Sequence, residues 1–95
     1  MNSIEKMIRI EKDGLCDTII QYTNDRFILS YAKQLKNIRY DDDKEVFIEL
    51  VSKLYQWYVT TIEKIMSSEF TLDKSAHQKS KNILKQILEY IDKED

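Results

Sequence analysis

Proline is absent from this sequence and glycine occurs once, as Gly14. Tight β-hairpin turns depend on glycine, proline and similar turn-forming residues. A β-protein of 95 residues would need several such turns, so their scarcity argues against a hairpin-based fold. We therefore expect an all-α protein whose helices are joined by polar corners.

Cysteine is also nearly absent, since Cys16 is the only one. A lone thiol can form neither an internal disulfide nor a cysteine metal cage, and it fits a reducing compartment. The first residues carry acids and no long apolar run, so no signal peptide is expected. No apolar run is long enough to cross a bilayer. These features predict a cytoplasmic protein. The abundance of Ile and Lys with little Ala favours an AT-rich bacterial or mobile-element gene.

A basic excess is missing too, because 15 Lys and Arg face 17 Asp and Glu, for a net charge of −2. Proteins that bind nucleic acid usually carry a basic stripe or a clear positive excess. Hydrophobic residues make up 42% of the chain and include ten aromatics, enough to form a core. We expect one domain covering residues 1–95, without nucleic acid as its main partner.

Apolar residues recur at helical spacing in four segments, roughly residues 2–23, 25–39, 42–67 and 74–92. In the first segment, Gly14 allows either one helix bent there or two short helices. The second has a stripe containing Phe27, Ile28, Tyr31, Leu35 and Ile38. The third has an apolar arc wide enough for two neighbours. We predict a small antiparallel bundle of four helices, or of three with the first kinked at Gly14.

Three consecutive aspartates, Asp41, Asp42 and Asp43, precede the third helix. Asp41 or Asp42 is well placed to cap it, and Glu45 follows Asp42 at capping-box spacing. A calcium loop needs alternating oxygen ligands and a central glycine, which this stretch lacks. Because one aspartate suffices for a cap, the surplus acids together with Glu49 predict a surface for a cationic partner.

Three aromatic residues are candidate anchors beside these acids. Tyr40 directly precedes the aspartates, while Tyr55 and Trp57 lie on opposite edges of the apolar arc of the third helix. At least one of the latter two is expected to reach the surface, where aromatics often anchor protein interfaces. The alternative is that both are buried between helices.

The remaining side chains that could react or bind a ligand are expected to have no catalytic or binding role. His77, the only histidine, lacks a motif that pairs it with a nucleophile or a metal, so we expect it at the surface. Cys16 is expected to be a packing residue. The lysines between Lys74 and Lys85 are expected to form a solvated face, with phosphate binding as the weaker alternative.

The sequence has no glycine-rich phosphate loop, catalytic carboxylate pair or metal-ligand set. We therefore expect neither an enzyme nor a bound metal or cofactor. In size, helicity and acidic balance the chain resembles short bacterial immunity proteins. This resemblance implies an antitoxin-type inhibitor that binds a basic toxin, such as a nuclease, as a monomer or homodimer. A homo-oligomeric or regulatory bundle in a larger complex is the alternative, and a nucleic-acid-binding regulator is a weaker one.

Overall fold

The computed structural model describes residues 3–62 and 74–94, and these residues form four α-helices and no strand. The helices are α1 (Ser3–Tyr22), α2 (Arg26–Asn37), α3 (Lys44–Trp57) and α4 (Lys74–Glu94), and a π-helical segment (Tyr58–Ile62) continues α3. The all-α prediction is confirmed. Across the described helices, no stretch is long and apolar enough to cross a membrane.

Each helix packs against two others, so the four helices form a closed ring of neighbours around the core. Helix α2 lies between α1 and α3, and α4 contacts the same two helices from the other side. The buried hydrophobic side chains meet in one core, to which α1 contributes Ile8, Leu15, Cys16 and Ile19; α2 contributes Ile28, Ala32 and Leu35; α3 and the π-helical segment contribute Phe47, Leu50, Val51, Leu54, Tyr58 and Ile62; and α4 contributes Ile83, Leu84, Ile87, Tyr90 and Ile91.

Gly14 does not divide the first helix. Helix α1 runs from Ser3 to Tyr22, and no residue in the described backbone has a positive φ angle. The Thr18 hydroxyl donates a hydrogen bond of 3.0 Å to the Gly14 carbonyl, one helical turn earlier. The structure therefore has a single helix across Gly14 and not two short ones.

Helix α2 begins where the sequence predicts and ends two residues early. The Asp25 carboxylate caps it by accepting from the Phe27 and Ile28 amides, at 2.8 and 3.2 Å. The helix ends at Asn37 because Ile38 is extended (φ −111°, ψ 144°). The prediction that Phe27 belongs to the buried stripe was wrong, since its side chain is 65% exposed. Ile28, Ala32 and Leu35 form the buried face instead.

Helix α3 loses its α-helical hydrogen bonding after Trp57 and continues as a π-helix over Tyr58–Ile62. The last four residues of this segment are β-branched, and such side chains crowd an α-helical turn. The Thr60 hydroxyl also donates to the Gln56 carbonyl at 2.8 Å, a side-chain bond that competes with helical pairing. The rest of the predicted third helix and the corner at 67–73 lie outside the described residues. Helix α4 matches its predicted range to within two residues.

A buried lysine joins α1 to the end of α2. Lys12 is only 8% exposed, and its ammonium donates three hydrogen bonds to backbone carbonyls, to Leu35 at 2.8 Å, Lys36 at 2.9 Å and Ile38 at 2.8 Å. The last carbonyls of a helix have no intrahelical partner and carry the negative end of the helix dipole. Lys12 therefore caps α2 from the neighbouring helix, with all three of its donors used.

We expect Lys12→Met to destabilise the protein by about 2–4 kcal/mol, because it leaves buried carbonyls without a charged donor. Urea unfolding measures this change. Lys6→Met is the matched control, since Lys6 is exposed on the same helix and should change stability by less than about 0.5 kcal/mol. If both variants were as stable as the wild type, the Lys12 hydrogen bonds would contribute no net stability.

Candidate functional site

The segment between α2 and α3, called here the acidic turn (residues 39–45), is held by its own hydrogen bonds. The Asp42 amide donates to the Arg39 carbonyl at 3.1 Å, and the Arg39 amide donates to the Asp42 carboxylate at 3.0 Å. These two bonds close the turn from both sides. Asp42 is therefore a turn residue, and its carboxylate faces back toward α2.

The residue that caps α3 is Asp43, so the assignment of the cap to Asp41 or Asp42 was wrong. Asp43 has the extended backbone of an N-cap (φ −159°, ψ 98°), and its carboxylate accepts from the Val46 amide at 3.1 Å. With the cap at Asp43, Glu45 falls one position short of the capping-box site. Glu45 instead lies in the first turn of α3, where an acid meets the positive end of the helix dipole.

Two of the predicted acids make no hydrogen bond or ion pair among the described residues. Asp41 and Glu45 are both exposed, and neither accepts a hydrogen bond or forms an ion pair in the described part of the chain. Glu49 is also exposed, but Lys53 lies 3.7 Å from its carboxylate. Capping and turn formation account for Asp42 and Asp43, which leaves Asp41 and Glu45 as the surplus charge of the acidic turn.

Tyr40 fixes the acidic turn to the core. Its half-buried ring meets Phe47 edge-on, with 5.4 Å between ring centroids, and Phe47 is fully buried. The Lys44 ammonium lies 5.3 Å from the centre of the Tyr40 ring, close enough for a cation–π contact. Tyr40 and the acids are therefore brought together, as the sequence predicts.

Tyr55 and Trp57 lie at the other end of α3. Tyr55 follows Asp43 by twelve positions, which corresponds to about 18 Å along the helix axis. Trp57 packs against Tyr22 and Tyr58, with centroid distances of 6.2 and 5.2 Å. Both Tyr55 and Trp57 are half-buried against the core. The predicted site thus spans the length of α3, and a shared partner at both ends stays a prediction.

His77 is 2% exposed, so the expectation of a surface histidine was wrong. Its Nδ1 lies 2.9 Å from the Tyr58 hydroxyl, and its ring meets Tyr22 edge-on at 4.6 Å. Burial raises the pKa of the Tyr58 hydroxyl, and the interaction of this hydroxyl with Ser80 partly lowers that pKa. The pair links the end of α3 to the start of α4 and lies out of contact with solvent, which indicates a structural role.

The sequence contained a signal for this buried polar pair. His77 and Ser80 share helical spacing with Leu84, Ile87 and Ile91, all of which face the core. Lys12 similarly lies in register with Ile8, Leu15 and Ile19. A polar residue in line with an apolar stripe can be buried when a partner satisfies its hydrogen bonds.

The lysine-bearing start of α4 lies far from the acidic turn. The His77 contact places this part of α4 beside Tyr58, fifteen residues and about 22 Å along the axis from the α3 cap. Lys74, Lys79 and Lys85 are exposed, and Lys79 lies 3.4 Å from the Glu11 carboxylate. The start of α4 and the acidic turn therefore lie at opposite ends of α3.

No group of three His, Cys, Asp or Glu side chains in the described residues is arranged to hold a metal ion.

Comparisons with known proteins found no matching family model, and no match among curated proteins or solved structures. Function must therefore be inferred from the fold and from the chemistry of its surface.

Cys16 is fully buried in the core, as its sequence context predicts. Burial is the largest cause that raises the pKa of its thiol, from 9.0 to about 12. The carboxylates of Asp13 and Asp17 act in the same direction, and the Lys12 ammonium acts against them. The thiol is thus neutral in the folded protein across the physiological range and is shielded from reagents.

This raised pKa makes the protein less stable at alkaline pH. The contribution of Cys16 is fully present below pH 9 and is lost as the pH rises toward 12, because the unfolded thiol ionises first. The loss is on the order of 1 kcal/mol per pH unit. Urea unfolding across this window should give a flatter pH dependence for Cys16→Ala than for the wild type. Parallel curves would show that the thiol ionises equally in both states.

Proposed function

We propose that the protein is a small protein-binding module of the immunity-protein or antitoxin type, which neutralises a basic toxin by direct binding. The observation that carries this proposal is the exposed charge of Asp41 and Glu45, which no hydrogen bond or ion pair among the described residues neutralises, on a turn that hydrogen bonds hold in place. A turn that is already ordered loses little conformational freedom when it binds, which favours affinity.

The chemistry of the partner follows from this surface. A toxic nuclease must be cationic around its nucleic-acid site, because it binds phosphates. An acidic surface on the inhibitor steers such a partner and raises the association rate. A cytoplasmic location in a bacterial cell completes the proposal, and the single buried thiol is compatible with it.

A homo-oligomeric or regulatory bundle is the second candidate, and two exposed apolar side chains favour it. Phe27 is 65% exposed and Ile10 is 62% exposed. Isolated apolar residues are also common on monomer surfaces. This candidate requires self-association, which a mass measurement on the purified protein detects.

The acidic turn is best tested by reversing the two exposed charges that make no hydrogen bond or ion pair among the described residues. We expect Asp41→Lys with Glu45→Lys to slow association with the basic partner, captured from the native cell and then purified, by roughly tenfold at low salt. The difference should shrink at high salt because exposed charges are screened. Stability should fall by less than about 1 kcal/mol, the scale of a helix-dipole contact.

Glu89→Lys with Asp92→Lys is the matched control, because both residues are exposed on α4 and the change in net charge is identical. This variant should associate at nearly the wild-type rate. Equal association rates and affinities for the wild type and the Asp41/Glu45 variant would refute the assignment of the acidic turn. Equal slowing in both double variants would show that only net charge matters.

A further inference from the structure

A groove of about 400 Å³ runs along the seam between α2 and α3, next to the acidic turn. Its lining consists of Lys33, Gln34, Asn37, Ile38, Val46 and Leu50. Ile38 immediately precedes the acidic turn and Val46 immediately follows it. The acidic turn therefore joins the two walls of this open groove at one end.

The floor of the groove is apolar and its rim is polar. Ile38 and Val46 are half-buried core-packing residues, and the Leu50 side chain is almost fully buried below them. Gln34 and Asn37 stand exposed along the α2 side. The volume lies near the lower end of the roughly 300–1,000 Å³ found for ligand sites, which suits a few side chains of an extended or helical segment.

Charge gives this groove a direction. Asp41 and Glu45 stand at the end formed by the acidic turn, where four acids outnumber the two cations Arg39 and Lys44. Lys33 lies five residues before Ile38, about 7.5 Å farther along α2, and marks the opposite end. An occupant with apolar side chains complements the floor, and one with cations at a single end complements the acids without meeting Lys33.

We infer that the groove and the acidic turn form one docking site for a basic amphipathic segment of the partner. Apolar side chains of this segment fill the groove over Ile38 and Val46, and its cationic end faces Asp41 and Glu45. The inference rests on the proposed function and adds the kind of segment that is recognised. Helical peptides that place an apolar face in a groove are a recurrent mode of recognition.

The seam between α1 and α4 serves as an internal comparison. It carries a groove of about 450 Å³, lined by Glu11, Lys79, Asn82, Ile83 and Gln86. Ile83 is its only apolar lining residue and is itself buried, while Glu11 and Lys79 pair with each other at 3.4 Å. This second groove has a narrower apolar floor, formed by Ile83 alone, and no free acidic end.

The test uses three short fluorescent peptides that share one helical pattern. The Leu/Lys peptide has Leu on its apolar face and Lys at its charged end. The Ser/Lys peptide replaces Leu by Ser, and the Leu/Glu peptide replaces Lys by Glu. We expect the Leu/Lys peptide to bind the full chain about tenfold more tightly than the other two, because one lacks the apolar contacts and the other lacks the attraction to Asp41 and Glu45. Gln34→Arg should weaken this binding about tenfold by placing a bulky cation on the rim. Gln86→Arg, on the rim of the other groove, should leave it unchanged.

Methyl resonances locate the bound peptide. The Leu/Lys peptide should shift the signals of Ile38 and Val46 but not that of Ile83. Equal binding of the Leu/Lys and Ser/Lys peptides, or no effect of Gln34→Arg, would overturn the groove inference. Failure of all three peptides to bind would also overturn it. The association rates of the Asp41/Glu45 variant with the partner test the proposed function separately. Concentration-dependent shifts of Ile38 and Val46 without peptide would assign the groove to a second copy of the chain and overturn the inference.

Discussion

The ammonium group of Lys12 sets the geometry on which the acidic turn depends. Its three hydrogen bonds end on the last carbonyls of α2, so a side chain of α1 fixes where α2 stops. Burial of a charge is unfavourable unless its hydrogen bonds are satisfied, and this arrangement satisfies all three donors. At the same interface the Asp17 carboxylate, 2.7 Å from the Lys36 ammonium, raises the pKa of Lys36. Together these contacts fix the register of α1 against α2.

The acidic turn follows from that fixed end. Ile38 leaves the helix in an extended conformation while its carbonyl is bound to Lys12, and the Arg39–Asp42 bonds close the turn directly afterwards. Asp43 then starts α3, and Tyr40 packs on Phe47 to hold the turn against the core. Asp42 and Asp43 thus serve the turn and the helix cap, and Asp41 and Glu45 are left exposed. The surface that we propose for binding is ordered by the same contacts that stabilise the fold.

Local patterns in the sequence were sufficient for the helices and insufficient for the contacts between them. The Asp25 cap and the spacing of apolar residues in α4 are local signals, so the start of α2 and the range of α4 were predictable. Three adjacent aspartates are equivalent by sequence, and the choice of Asp43 depends on where Lys12 ends α2. His77 was predicted at the surface because its partner, Tyr58, lies nineteen positions away in the chain. The π-helical segment after Trp57 was likewise not predictable from the spacing of apolar residues.

The acidic turn and the adjoining seam between α2 and α3 together form the surface that we propose for a basic partner. Amide hydrogen exchange of the protein, free and bound to that partner, tests this claim most directly. Binding should slow exchange across residues 38–50 and leave the α4 amides between residues 79 and 86 unchanged. Slowing confined to the face formed by α1 and α4, with residues 38–50 unaffected, would contradict it.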